Sequence, residues 1–271
     1  MSAFMRVLDT GLMSSRRNIA VTGALTELHR AGLIADTLRF STYPTSVLLG
    51  CDQGLLDVVR VKACRRRYVD VARRITGGDA FYADAGVLIW DLVSERRPFS
   101  GSPGNIREHI CSGLAAGLRR FGLPVQCGPL GRIELDGRTI AASSASVDGP
   151  IVVFQGMVLI DPDLAEAMAV LREPRGRTDE TRASLSDRMT SLSEWLGRTP
   201  SMHELKSLLL AGLAQAWRSE FRADRLSAAE QRLADRLLDC GIGAQPLAET
   251  SAAMPGERQI AAETAMGAGA P

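Results

Sequence analysis

Apolar side chains recur at helical spacing over residues 14–31, where Ile19, Ala20, Gly23, Ala24 and Leu28 share one face, Ser14 or Ser15 can cap the start and Gly32 follows the end. The pattern predicts an amphipathic helix. Residues 37–41 and 46–50 are short apolar runs separated by Tyr43-Pro44, which reads as two strands and a turn. Leu55, Leu56, Val59 and Ala63 predict a second helix over 55–67, ending in Arg65-Arg66-Arg67, where cations suit the helix C-terminus. A nearly continuous apolar run over 86–93 predicts a buried strand. After a Gly/Pro/Ser loop at 100–104, Ile106, Ile110, Leu114 and Leu118 predict a helix over 103–121 that Gly122 ends. Residues 125–127 read as a short strand, Asp136-Gly137 marks a hairpin between 132–135 and 139–141, and 151–160 is another long buried strand.

From Pro162 onward the period is helical, over about 162–171, 184–196, 201–222 and 227–239, with Ser201/Glu204 and Ser227/Glu230 spaced as capping boxes. Residues 173–182 are charged and poor in apolar side chains, which predicts a mobile loop. Beyond Cys240 periodicity ends in an Ala/Gly/Pro/Glu-rich stretch, read as a disordered tail. The expected organisation is an α/β core over 1–161, helices packing on it over 162–240, and a tail over 241–271.

Composition narrows the function classes. With 271 residues and 45% hydrophobic content, the chain can bury a full core. A net charge of +1 offers no overall field to gather nucleic acid or an anionic membrane, and the cations are arginines except for Lys62 and Lys206. The five cysteines, Cys51, Cys64, Cys111, Cys127 and Cys240, are scattered and never spaced Cys-x-x-Cys, so neither a disulfide framework nor a zinc site is indicated. A reducing cytoplasm is the expected location. The N-terminus lacks a signal-peptide pattern, and no apolar run reaches the roughly 18 residues of a membrane helix.

The densest chemistry lies in residues 73–86, RRITGGDAFYADAG, which place two cations, two adjacent glycines and two carboxylates between strand-like runs. Paired glycines let a backbone approach a ligand without an intervening Cβ, and arginines supply fixed charge for a carboxylate or phosphate. In outline this is an anion-binding loop. The alternative is a tight inter-strand turn that needs glycine for a positive φ alone.

This segment, with Arg73, Arg74, Thr76, Gly77, Gly78, Ala80, Tyr82, Asp84 and Gly86, resembles the RR-x-S/T-GGGAVFHD-x-G segment of the lipoate-protein ligase family, within the biotin and lipoate ligase superfamily. Further matches are Gly50 and Gln53, Asp136-Gly137-Arg138-x-Ile140 before the small residues 141–145, Gly156-x-x-Leu159-Ile160-Asp161, and 188–192. The resemblance spans about 15–239. It implies an α+β fold of mixed β-sheets flanked by helices, with a C-terminal helical segment. It also implies activation of lipoate or octanoate with ATP and Mg²⁺, and transfer of the acyl group to a lysine of a lipoyl-type carrier domain, with a small accessory subunit as a further partner. No nucleic-acid or membrane partner is implied.

By the same resemblance Arg73 or Arg74 would meet a carboxylate or phosphate, Gly77 and Gly78 would admit acyl chain and nucleotide, and Asp84 would orient a neighbour or hold Mg²⁺. Arg138, Gln155 and Gly156 complete the implied binding set. Several positions depart from the pattern. The family's lysine after Gly-Arg is Thr139, its third glycine is Asp79, its His before the Asp is Ala83, an arginine after the small-residue run is Ser146, and its His before Gly156 is Gln155. A missing cation beside a reacting phosphate costs about 10²- to 10³-fold in rate, judged by single oxyanion donors. Cys51, at a strand end, is a candidate acyl-accepting nucleophile of the kind used by related octanoyl transferases. The readings that follow are an acyl ligase or transferase, a non-catalytic homologue that binds a carrier domain or ligase subunit, and a ligase for another carboxylate.

Overall fold

The fold is that of a computed structural model, which describes residues 4–96, 103–172 and 185–247. It begins with strand β1 (Met5–Leu12), helix α1 (Ser15–Arg30) and strands β2 (Thr37–Thr42) and β3 (Ser46–Leu49). Helices α2 (Leu55–Val58) and α3 (Val61–Arg67) precede strands β4 (Asp70–Arg73), β5 (Phe81–Ala83) and β6 (Val87–Glu95). Helix α4 (Pro103–Arg119) is followed by β7 (Gln126–Cys127), a 3₁₀ turn (Pro129–Gly131), β8 (Arg132–Leu135), β9 (Arg138–Asp148) and β10 (Ile151–Leu159). The remainder is α5 (Leu164–Val170), α6 (Leu185–Arg188), α7 (Leu192–Leu196), α8 (Met202–Trp217), β11 (Phe221–Asp224) and α9 (Ala228–Asp239).

Eight strands form one mixed sheet in the order β11-β1-β2-β6-β10-β9-β8-β7, and β4-β3-β5 form a second, smaller one. The architecture is α+β, with mixed sheets flanked by helices. In β6 the pleat sends Leu88, Trp90 and Leu92 to one face, where they meet Ile110 and Leu114 of α4 and Leu209 and Leu213 of α8. Val93 faces the other way, toward Ala20 and Ala24 of α1, while Val87 and Ile89 meet Leu48 and Ala72 of the small sheet. Both faces of the central strands are therefore covered, which is why 86–93 reads as unbroken apolar sequence.

Several elements differ from the expectations, each because a distant partner takes over the backbone. The single helix expected over 55–67 is broken at Val59, which is extended (φ −123°, ψ 136°) and bridges Leu171, while the Arg60 N–H donates to the Val170 carbonyl. The helix expected over 184–196 is broken in the same way, with Met189 bridging Thr139 and the Thr190 N–H donating to the Thr139 carbonyl at 3.0 Å. The helix expected to reach 222 ends at Trp217, and 221–224 form the edge strand β11, parallel to β1. Strands β1, β5 and β11 fall where no strand was expected, and β9 extends through the small residues 141–145.

The packed chain also runs past Cys240: Ile242 joins the α1/α9 core, Leu247 packs on the α3/α5 core, and the Arg73 N–H donates to the Gly243 carbonyl at 3.1 Å. The expected disordered tail thus starts no earlier than 248; residues 248–271, and the loop expected over 173–182 from 173 on, lie outside the described residues. No described helix is long and apolar enough to cross a membrane.

Candidate functional site

The glycine loop lies between β4 and β5 of the small sheet, against β9 and β10 of the large one. Gly50 and Gly78 touch there: a Cβ on Gly50 would sit 2.2 Å from the Gly78 carbonyl oxygen, and Gly78 has φ +87°. Glycine is required on both counts. Beneath the loop runs a buried polar chain. Arg39 donates through Nε to Asp91 Oδ2 at 2.8 Å, Gln155 donates through Nε2 to Asp91 Oδ1 at 2.9 Å, and Thr76 donates through Oγ1 to Gln155 Oε1 at 2.9 Å. Ser144 Oγ stands 3.0 Å from Thr76 Oγ1. Gln155 fits this place because its amide both accepts and donates.

The two arginines of the loop are spent on the protein itself. Arg74 is buried, stacks over Phe81 at 4.6 Å, and donates to the carbonyls of Leu48 at 2.8 Å, Gly77 at 2.7 Å and Asp79 at 3.2 Å. Burial pulls its guanidinium down to about 10, against the attraction of Tyr43, Cys51 and Asp79. Arg73 donates to the carbonyls of Gly50, Cys51 and Gln53 and to Gln245 Oε1. Together they hold the loop in shape from below and from the side.

Above the loop opens a cavity of about 720 Å³. Its walls come from the loop and β5 (Gly78, Ala80, Tyr82), from the small residues Ala142, Ser143, Ser144 and Ala145 of β9, and from apolar side chains such as Met157, Leu159 and Met168. Among the described residues, six arginines (Arg60, Arg74, Arg107, Arg132, Arg172 and Arg188) line it against two carboxylates, Asp79 and Glu134. The result is a partly apolar trough with a cationic surround, in the usual size range of small-molecule sites, about 300–1,000 Å³.

Of the residues singled out from sequence, Arg74, Gly78, Ala80, Thr139 and Gln155 line this cavity. So do Gln53, Asp79, Tyr82 and Arg188, whereas the remaining candidates are placed elsewhere. Thr76 is buried in the loop and donates to Gln155, and the Gly77 carbonyl accepts from Arg74. Asp84 closes a turn, accepting from the Gly86 N–H at 2.8 Å and the Asp163 N–H at 2.9 Å, so both its oxygens are engaged. Gly86 packs against the Asp161 carbonyl, and Gly156 against the Trp90 indole, where a Cβ would sit 2.4 Å from the ring. Arg138 pairs with Glu194 at 2.6 Å and lies over Trp195. Cys51 lies on the exposed turn that Arg73 holds, and partial burial of its thiol, with Asp52 beside it, pushes the group up. Arg188 begins the 188–192 match, but Arg60, Arg107, Arg132 and Arg172 also line the cavity and no local sequence pattern marked them, since segments far apart in the chain bring them there.

The lipoyl protein ligase A/B catalytic domain family matches residues 14–214, well over half of the chain. The chain belongs to this family. Among its relatives is the octanoyltransferase LipM of Kyrpidia tusciae, 29% identical over 263 residues that cover 86% of this chain and 94% of the relative. Among solved structures, a bipartite lipoate protein ligase from Thermoplasma acidophilum superposes with TM-score 0.75 at 23% identity, covering 87% of this chain and 92% of that one. Lipoate-protein ligase A bound with ATP superposes with TM-score 0.76 at 22% identity, covering 88% and 95%. The glycine loop, the small-residue strand β9 and Gln155 surround one cavity, which the uncharged Thr139 also lines.

Proposed function

We propose that this protein transfers an octanoyl or lipoyl group from an activated donor to a lysine of a lipoyl-type carrier domain. The observation that carries the reading is the cavity itself: an apolar trough bordered by the small residues of β9, fit for an aliphatic chain, with a cationic surround for the acyl group's polar end. The LipM relatives, similar over nearly their whole length, support transfer. Transfer from a thioester is favoured over activation of a free acid because position 139 lacks the cation that would steady charge on a reacting phosphate.

The second reading is an ATP-dependent ligase, favoured by the arginine-rich lining, whose charge suits the phosphates of ATP. Asp84 does not line the cavity, and its two oxygens accept the Gly86 and Asp163 N–H groups, which makes it a brace for the turn after β5. Among the described residues no group of three or more His, Cys, Asp or Glu is placed to hold a metal ion. The bipartite ligase among the structural neighbours makes a small accessory subunit a reasonable partner under this reading.

The deciding experiment is incubation of purified protein with an apo lipoyl domain and octanoyl carrier-protein thioester, without ATP, read by mass spectrometry of the domain. One octanoyl adduct per domain is expected. Adduct formation only with free octanoate, ATP and Mg²⁺ would establish the ligase instead, and Thr139→Lys is then expected to raise pyrophosphate exchange. Absence of every adduct, with retained binding to the lipoyl domain, would leave the non-catalytic reading.

A further inference from the structure

Arg107 stands apart from the other cationic side chains of the cavity. Arg60, Arg74 and Arg172 each donate to backbone carbonyls, and Arg188 is also partnered. Arg107 has no hydrogen bond or ion pair among the described residues, and its Nε is shielded from solvent with no acceptor. The side chain runs from the first turns of α4 beneath the 3₁₀ turn, its Cδ lying against Gly131, where an added Cβ would come within 3.1 Å. Gly131, at φ +81°, thus leaves the channel through which this guanidinium reaches the cavity. Arg132, next along the turn, lines the same end, and its only acidic partner among the described residues is Asp79, 3.8 Å away and 86% exposed.

A buried guanidinium N–H with no acceptor is costly in an empty site and strongly favours an anion that supplies one. The fork of an arginine matches the paired oxygens of a phosphate, and a second arginine beside it adds charge. We infer that Arg107, assisted by Arg132, forms an anion subsite at the β9/3₁₀-turn end of the cavity that takes the phosphate ester of the acyl donor. This subsite supplies positive charge to a cavity whose position 139 has none. The inference rests on the acyl-transfer reading. Two donors carry such a phosphate: a carrier-bound thioester, through its phosphopantetheine diester, and a nucleotide.

The test compares octanoyl phosphopantetheine with octanoyl N-acetylcysteamine, a thioester without phosphate, in the wild type, Arg107→Met, Arg107→Lys and Arg132→Met. In Arg107→Met the ratio of kcat/KM for the phosphate-bearing donor to that for the phosphate-free donor is expected to fall about tenfold or more, through KM. Arg107→Lys is expected to recover part of the ratio, and Arg132→Met to lower it less. An unchanged ratio, with both donors equally affected or equally unaffected, would overturn the subsite. Direct titration of phosphopantetheine and of ATP keeps the subsite testable should no donor be turned over, which would be a failure of the transfer reading alone. Weaker binding of either ligand by Arg107→Met then supports the subsite and identifies its source, and equal binding of both by wild type and variant refutes it.

Discussion

Asp91 shows how a single residue joins stability to function. It is fully buried, faces the fully buried Arg39, and through Gln155 and Thr76 is the far end of the chain that anchors the glycine loop. Asp91→Asn leaves the Arg39 charge uncompensated in the core and is expected to cost about 3–5 kcal/mol in urea unfolding. The double variant Arg39→Met/Asp91→Leu, which replaces the pair with apolar groups, is expected to regain most of that stability while acyl transfer stays low, because Gln155 has lost its acceptor. Full transfer activity in the double variant would show that the loop does not need this anchor. Arg73 and Arg74 carry the complementary lesson. Their place beside two glycines is visible in the sequence and reads as ligand binding, yet their donors go to Gly50, Gln53, Leu48 and Gly77. Which acceptor an arginine meets depends on segments brought up by the fold, and no local pattern records it.

Among the elements, β1 and α9 are tied by an ion pair that crosses most of the chain. Arg6 donates to Asp224 at 2.7 Å and to both oxygens of Glu230, which also accepts from the Ser227 N–H to complete the capping box of α9. Burial pushes the Glu230 carboxyl up, but the bonds from Arg6 and Ser227 outweigh it and hold the group below its ordinary value of 4.5. A carboxylate held low in the folded state stabilises the fold above its unfolded value, and that contribution is lost as protons return. Stability is therefore expected to decline as pH falls through 4.5 and below. The gap in urea midpoint between wild type and Glu230→Gln is expected to narrow over the same range. A gap that is constant from pH 7 to about 3 would rule this linkage out. The capping box was legible from Ser227 and Glu230 alone, since its partners lie within one turn. Strand β11 was not, because an edge strand with charged, exposed positions acquires its identity only by pairing with a neighbour, and β1, held between β11 and β2, was hidden by the charged Arg6 and Asp9 that interrupt its apolar run.

At the scale of the whole molecule, the segment after α9 closes the structure around its start. Ile242 packs beside Gly23 and Leu237, Leu247 joins the core beneath α3, and Gln245 accepts from Arg73 through Oε1 at 2.6 Å. A chain ending at residue 240 is expected to be about 2–4 kcal/mol less stable than one ending at 247, from the loss of two partly buried aliphatic side chains. It is also expected to transfer acyl groups more slowly, since Arg73 loses a partner while holding the 50–53 turn. Thermal unfolding of the two chains checks this, and equal midpoints would refute it. The sequence by itself determined the helical and strand periods, the buried strands 86–93 and 151–160, the capping signals, the hairpin at Asp136-Gly137, and enough of the glycine loop to indicate the family. All of these rest on interactions within a few residues or on repeating burial. Only the tertiary structure decided that two expected helices break to bridge distant strands, that Arg73 and Arg74 brace the loop, and that Arg107 reaches the cavity with no partner among the described residues. Those outcomes depend on backbone and side-chain partners far apart in the chain, and folding alone brings them within hydrogen-bonding distance.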